Sequence, residues 1–419
     1  MFMGRTRSGY EEAFVDLVRE SAQAGRMVLW EESARDGAQG KTLMSADFRV
    51  RLARAQGALF GADGPRHVVF AAGFPAVCRE EFDATRRVAL EAGDAVTPAA
   101  VCRGTTADVR QACASVAGAP GARVMVVVPA SEVMADVMVH RPAAQALTAA
   151  ADFVDAARAE GTHVDICFAD ATRADVGLMA DHATSLTAAG AGTVVLADTV
   201  GRLLTHEATS LFTDLHSRVT DEVVLASHLH NDLGLGLPNT LAAITAGTRV
   251  AACSWLGIAE RSGMVATEQL LFLLSQRAED LLGPGTALWH TPPDLTGVPP
   301  IARMVAEETG IPLTVTTPIV GTGVGTISTG TPFAHPRTFE PYDPHEVLGI
   351  EPTVLLTHLA SARVLRAVAH RLGHDLTGEE TAAALDWVKS EAYRRNHAHI
   401  PDADLAGFLN SRNTPAATR

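Results

Sequence analysis

Short runs rich in Val, Leu, Ile and Ala alternate along the first two thirds of the chain with longer stretches whose apolar residues fall on one helical face. The runs are MVLWEES (27–33), HVVFAA (67–72), VTPAAVC (96–102), RVMVVVPA (123–130), HVDICFAD (163–170), TVVLADT (193–199), VVLASHLH (223–230) and VAACSWLGI (250–258). Each has the length of a strand. Between them lie segments such as AAQALTAAADFVDAARAEG and DVGLMADHATSLTAAGAG, which close on glycine, the usual helix stop. Eight β/α units over roughly 250 residues predict an α/β fold of the TIM (β/α)8 barrel type rather than an open doubly wound sheet. No glycine-rich dinucleotide fingerprint follows the first run.

Beyond residue 282 the texture changes to GPGTALWHTPPDLTGVPP, then a short helical segment, then the loop-like TTPIVGTGVGTISTGTPFAHPRTFEPYDP. Two helical stretches near 352–372 and 377–395 follow. The expected layout is a helical extension over 1–26, a barrel over 27–282, a linker over 283–300 and small, mostly helical C-terminal subdomains over 301–419.

Composition narrows the class. Hydrophobic residues at 47% and charged residues at 20% describe a globular chain. No apolar run reaches the ~18 to 20 residues that span a bilayer. The opening MFMGRTRSGYEEAFVDLVRES lacks the apolar core and cleavage site of a signal peptide and reads as a short acidic helix, which points to the cytoplasm. Five scattered cysteines without a CxxC pair fit reduced core residues. A net charge of −14 without a long basic run speaks against nucleic acid as a partner.

A TIM barrel gathers its chemistry at the C-terminal ends of its strands. Polar residues cluster at those ends here, in EESARDGAQG, FADATR, ADTVG, SHLHND and GIAERSG. On a strand, residues i and i+2 share a face, so His228 and His230 can point together into the barrel. A bare HxH more often serves strand-end hydrogen bonding. With Asp36 at the end of the first strand, an Asp/His/His set becomes a candidate site for Mg²⁺, Mn²⁺, Co²⁺ or Zn²⁺. Arg35 has the fixed, permanent charge that suits a developing enolate or alkoxide, and alternatively a salt bridge to Glu31 or Glu32. Asp170 and Arg173 read first as a structural ion pair. The glycines of GIAERSG fit either close approach of a ligand or a tight turn.

The motifs ARDGAQG, AAGFP, DATR, LADTVG, SHLHNDLGLGLPNTLAAITAG and GIAERSG, in this order, resemble those of the DRE-TIM metallolyase superfamily. Within it the resemblance is to the Claisen-condensing branch of isopropylmalate, homocitrate and citramalate synthases, with a phosphonomethylmalate synthase-like member in view. PIVG (318–321) and FEPYDPHEVLG (339–349) extend it past the barrel. The resemblance implies that Asp36, His228 and His230 hold a divalent cation, that a 2-oxo acid and an acyl-CoA, most simply acetyl-CoA, are joined, and that Thr199 touches the oxo acid. It also implies a homodimer. Candidate catalytic residues are Arg35, Glu260 and Tyr342; candidate substrate contacts are Arg35, Gln39, Arg103, Thr199 and Arg173.

The chain departs from the family at several points. Ala38, Ala71 and Ala169 stand where the family usually has glutamate. Loss of negative charge from a pocket favours an anionic ligand, so the expected substrate is an oxo acid with an extra anionic group, such as oxaloacetate, 2-oxoglutarate or phosphonopyruvate. Drift to small residues in an alanine-rich chain is the competing explanation. Met264 occupies the place of an asparagine that is a ligand in the lyase branch, and a thioether suits a hard cation poorly. The family's HESGIH segment is replaced around Ile327 and Pro332, which leaves Tyr342, His335 and His345 as the nearby acid/base candidates. Two other readings are a carbon–carbon lyase or aldolase on the same metal site, and a barrel that binds a metabolite without turnover.

Overall fold

The computed structural model describes residues 15–40 and 42–413. Most of the acidic N-terminal segment therefore lies outside the described residues, and its visible part is the helix Leu17–Gln23, whose N-cap Asp16 accepts from the Arg19 N–H.

Eight parallel strands close into a barrel in chain order: β1 (Val28–Glu31), β2 (Val68–Gly73), β3 (Thr97–Arg103), β4 (Arg123–Pro129), β5 (His163–Ala169), β6 (Val194–Asp198), β7 (Leu225–Leu229) and β8 (Val250–Cys253). The seam is the pairing of β1 with β8, in which Val28 meets Val250 and Glu31 meets Cys253. All eight expected runs contain a strand. The structure ends β1 and β8 earlier than the apolar runs do, because the chain turns there: Ser33–Gly37 forms a π-helical turn and Trp255–Gly257 a 3₁₀ turn.

Alternation sorts the strand residues into two cores. Val164, Ile166 and Phe168 of β5 join Val124, Val126 and Val128 of β4 under the outer helices. Trp30, Ala71, Ala99, Val101, Met125, Cys167, Val195, Ala226 and Ala252 fill the barrel itself. Many inward positions are alanine, and the bulk of Trp30 and Met125 occupies the space this leaves. At the N-terminal end the inward residues are charged. Buried Arg123 pairs with Asp165 at 2.7 Å and with Asp16 at 2.8 Å, so the cap of the N-terminal helix also neutralises the barrel floor.

By compactness the chain divides into a unit ending at Pro312 and a unit beginning at Leu313. The stretch 283–300, expected as a linker, is anchored on the barrel: the Met27 N–H donates to the Leu288 carbonyl, the His290 N–H to His67 Nε2, and the Asp294 N–H to the Leu59 carbonyl. Proline and glycine there set turns on a surface path rather than a free tether. The second unit pairs β9 (Thr326–Ile327) in parallel with β10 (Thr353–Val354) and packs the helices Ala362–Arg371, Gly378–Arg395 and Asp402–Asn413 around Val364, Leu365, Val388 and Leu405. Among the described residues no helix is long and apolar enough to cross a membrane. Cys102, Cys113, Cys167 and Cys253 are buried free thiols, and Cys78 is exposed.

Candidate metal centre

Asp36 sits in the π-helical turn after β1, His228 on β7, and His230 just past its end. His228 Nε2 lies 3.3 Å and His230 Nε2 3.7 Å from Asp36 Oδ2. All three are buried, and one ligand atom from each falls within 4.8 Å of the others. The turn carrying Asp36 can lie this close to the loop after β8 because of its glycines. A Cβ on Gly37 would meet Ile258 at 2.8 Å, and one on Gly40 would meet the Glu260 Cα at 3.1 Å. The Glu260 N–H then donates to Asp36 Oδ1 at 3.0 Å.

Electrostatics leave Asp36 and His230 in ligating form. Burial works to raise the Asp36 carboxyl, but Arg35, His228 and His230 outweigh it and hold the group well below the usual carboxylate range. Burial, with His228 beside it, pushes His230 down to about 4, so its imidazole is neutral near pH 7. One carboxylate oxygen and two imidazole nitrogens, buried and mutually close, fit a divalent cation with open positions. Met264 does not add to the set. Its side chain packs in the barrel core, and its backbone bridges to His230.

Arg35 is fixed on two sides. Its Nε donates to Glu32 Oε2 at 2.7 Å, and Nη1 lies 3.4 Å from Asp36 Oδ2. The salt bridge to Glu32 and the place beside the ligand set are thus realised together. Cys167 is near this charge, but burial pushes its thiol up to about 12, which removes it as a nucleophile near neutral pH.

The remaining candidates of the first unit are spread around the mouth. Thr199 Oγ1 accepts from the Asp170 N–H at 2.8 Å, and Asp170 binds Arg173 Nε at 2.8 Å, the pair read from the sequence. Arg103 ends β3 and pairs with Asp108 at 2.5 Å, with its side chain largely exposed. Gln39 is exposed. Glu260 turns a half-exposed carboxylate to Arg261 at 3.6 Å and meets Asp36 through its backbone. Arg261 also holds Asp232 at 2.9 Å and the Thr199 carbonyl at 2.8 Å, which laces the loops after β6, β7 and β8 together. In GIAERSG the tight-turn reading applies, since a Cβ on Gly263 (φ +89) would lie 2.0 Å from the Gly257 carbonyl oxygen. Tyr342 belongs to the second unit, where burial raises its hydroxyl above the ordinary value. His345 pairs there with Glu351 at 3.0 Å, and His335 is exposed.

Sequence reasoning missed Glu32 as a member of the centre. The signal was strand parity: Trp30 points into the barrel, so Glu32, two residues on, continues on the same face.

A profile of the HMGL-like family matches residues 27–305. The 2-isopropylmalate synthase of Prochlorococcus marinus is 29% identical over 405 residues, spanning 93% of this chain and 74% of that protein. The 2-isopropylmalate synthase of Neisseria gonorrhoeae is 29% identical over 401 residues, spanning 93% of this chain and 64% of that protein. The crystal structure of hydroxymethylglutaryl-CoA lyase from Pseudomonas aeruginosa superposes with a TM-score of 0.55 at 22% identity, covering 69% of this chain and 94% of that one. This last likeness is one of fold.

Proposed function

The chain belongs to the HMGL-like family, and from that premise we propose that it is an acyltransferase-type synthase that joins an acyl-CoA, in the first place acetyl-CoA, to a 2-oxo acid in a metal-dependent Claisen condensation. The observation that carries the reading is the buried set of Asp36, His228 and His230 with Arg35 alongside.

Asp36 as carboxylate and His228 and His230 through Nε2 would hold the cation. When bound, a divalent ion supplies Lewis-acid polarisation of the oxo acid's ketone. A base takes a proton from the acyl methyl group to give an enolate, whose carbon attacks the ketone carbon; the ketone oxygen becomes an alkoxide that regains a proton, and water then cleaves the thioester to a free carboxylate and CoA. Arg35, held at Nε by Glu32 and near Asp36 at Nη1, offers that alkoxide a cation that needs no reorganisation. Thr199, at the end of β6, is the candidate contact for the oxo acid, with its hydroxyl fixed by the Asp170 N–H.

The finer reading concerns the substrate's charge. Glu32 and Asp36 carry two carboxylates against the single guanidinium of Arg35, so a divalent ion leaves the centre with one net positive charge. Ala38, Ala71 and Ala169 are buried and place no carboxylate there. Arg103 at the end of β3 and Arg173 in the turn after β5 have partly exposed side chains, each paired with one carboxylate, Asp108 and Asp170. This balance favours an oxo acid with a second anionic group, such as oxaloacetate, 2-oxoglutarate or phosphonopyruvate.

Release of free CoA thiol over a panel of 2-oxo acids, with and without chelator, tests both levels. Thiol should appear only when acetyl-CoA and an oxo acid are both present, should stop with chelator, and should appear faster with the anionic acids than with 2-oxoisovalerate. Preference for the branched acid would sink the finer reading. Formation of an acyl-CoA or pyruvate from a single hydroxy-acid substrate, with no condensation, would replace the synthase by a lyase.

A further inference from the structure

The two histidines of the centre present the same nitrogen to Asp36 but are held differently from behind. His230 Nδ1 lies 3.3 Å from the Gly263 carbonyl, an acceptor, so Nδ1 carries the proton and Nε2 keeps its lone pair toward Asp36. His228 has no carbonyl behind it. Its Nδ1 is buried without a hydrogen-bond partner, and the atom 3.6 Å away is Glu32 Oε1, also buried and also without one. That distance exceeds a hydrogen bond by about half an ångström. A donor and an acceptor left so close in an apolar interior each lose desolvation energy that their pairing would recover.

The other half of the carboxylate is engaged. Glu32 Oε2 accepts from Arg35 Nε at 2.7 Å, and Glu32 is fully buried. Arg35, Glu32, His228 and Asp36 thus form a closed ring of side chains with successive separations of 2.7, 3.6, 3.3 and 3.4 Å. We propose that Glu32 is a positioning residue that sets this ring: one oxygen fixes the guanidinium of Arg35, and the other takes the Nδ1–H of His228, which leaves the His228 Nε2 lone pair turned to the metal position. An anionic acceptor behind an imidazole also makes that ligand more basic, whereas the carbonyl behind His230 does so less.

The inference rests on the reading of Asp36, His228 and His230 as metal ligands, so its test separates the two. In the full, metal-free chain His228 Nε2 also faces an acceptor, Asp36 Oδ2 at 3.3 Å, so the tautomer is read in Asp36→Ala, where Glu32 Oε1 at 3.6 Å is the carboxylate oxygen left beside the ring. With [15N]histidine labelling, the ring nitrogens of His228, assigned by their loss on adding His228→Gln, should show a protonated Nδ1 and an unprotonated Nε2. An Nε2–H tautomer in this chain overturns the proposal without any Glu32 variant having to fold. In Glu32→Gln the side-chain oxygen stays with Arg35 and the amide N–H₂ faces His228 Nδ1, so the proton should move to Nε2. Binding of Mn²⁺ alone, measured by calorimetry, should weaken by about 10 to 100-fold. An unchanged tautomer with Mn²⁺ affinity within about twofold of the parent would refute the role. If the tautomer moves as expected while Asp36→Asn and His230→Ala bind Mn²⁺ like the parent, the ligand reading fails and the Glu32–His228 pairing stands.

Discussion

The backbone N–H of Glu260 donates to Oδ1 of Asp36 at 3.0 Å, tying the loop after the last barrel strand to the turn after the first. Asp36→Asn keeps an oxygen for that N–H while it removes the charge that faces Arg35 and both histidines. It should therefore lower the melting temperature, since a carboxyl held this far below its usual range stabilises the fold when ionised, and it should lose more than about 100-fold in condensation rate, beyond what removal of a merely orienting group costs. Thermal denaturation and CoA-thiol release on the same preparation check the two halves of this expectation.

Ala169 lies at the end of β5, on the same face as the inward Cys167. A glutamate there brings back a negative charge at the mouth. Two unit charges about 10 Å apart at an effective dielectric of about 20 repel by about 1.7 kcal/mol, or somewhat over tenfold. Ala169→Glu should raise KM for a dicarboxylic oxo acid by about that factor and leave KM for acetyl-CoA within about twofold. Equal effects on both substrates would count against a charge mechanism.

Arg123 neutralises Asp16 and Asp165 at the barrel floor and is almost wholly buried. Removing the cation strands two carboxylates in the interior, which typically costs about 3 to 5 kcal/mol. Arg123→Met should lower stability in urea by that amount, and Arg123→Met with Asp165→Leu should recover a good part of it.

Glu268 is buried, and that burial pushes its carboxyl up to about 7 despite a 3.0 Å hydrogen bond from the Leu256 N–H. A carboxyl raised in the folded state holds its proton there after the unfolded chain has released it. Its contribution to stability is complete below the ordinary carboxyl range of about 4.5 and fades as pH rises to about 7, after which it is constant. Glu268→Gln should remove this decline and gain stability relative to the parent at about pH 8, on the order of 2 to 3 kcal/mol, with a smaller difference at about pH 5. Urea unfolding of parent and variant at the two pH values would show it; a difference between them that does not grow from about pH 5 to about pH 8 would contradict it.

Much of the barrel could be read in advance because its strands are buried on both faces and so appear as continuous apolar runs of strand length. Their C-terminal ends were harder to place. VVLASHLH keeps its pattern almost to the end of β7, whereas SWLGI is apolar and yet turns, since Leu256 takes a positive φ of 57° under the hydrogen bond to Glu268. His228, His230 and Asp36 were legible as a group because i, i+2 geometry and the barrel mouth both follow from periodicity. Glu32 was legible only as one of two candidate partners of Arg35; its place beside His228 was not, although parity with Trp30 pointed inward. Glu260 was named as a catalytic candidate for its carboxylate, whereas its contact with Asp36 is made by the backbone, which no side-chain pattern announces.

The glycine-lined joint between the turn at Gly37–Gly40 and the loop at Ile258–Glu260 has a consequence for biosynthesis. Asp36 emerges from the ribosome early, whereas its histidines and the amide that steadies it come more than 190 residues later. A nascent or truncated chain that lacks the eighth strand therefore holds the acid without its counterparts. Only when the final strand docks against the first do Asp36, His228, His230 and the supporting N–H come together, so an ion, were it bound there, would stabilise the closed barrel over a chain that lacks β8.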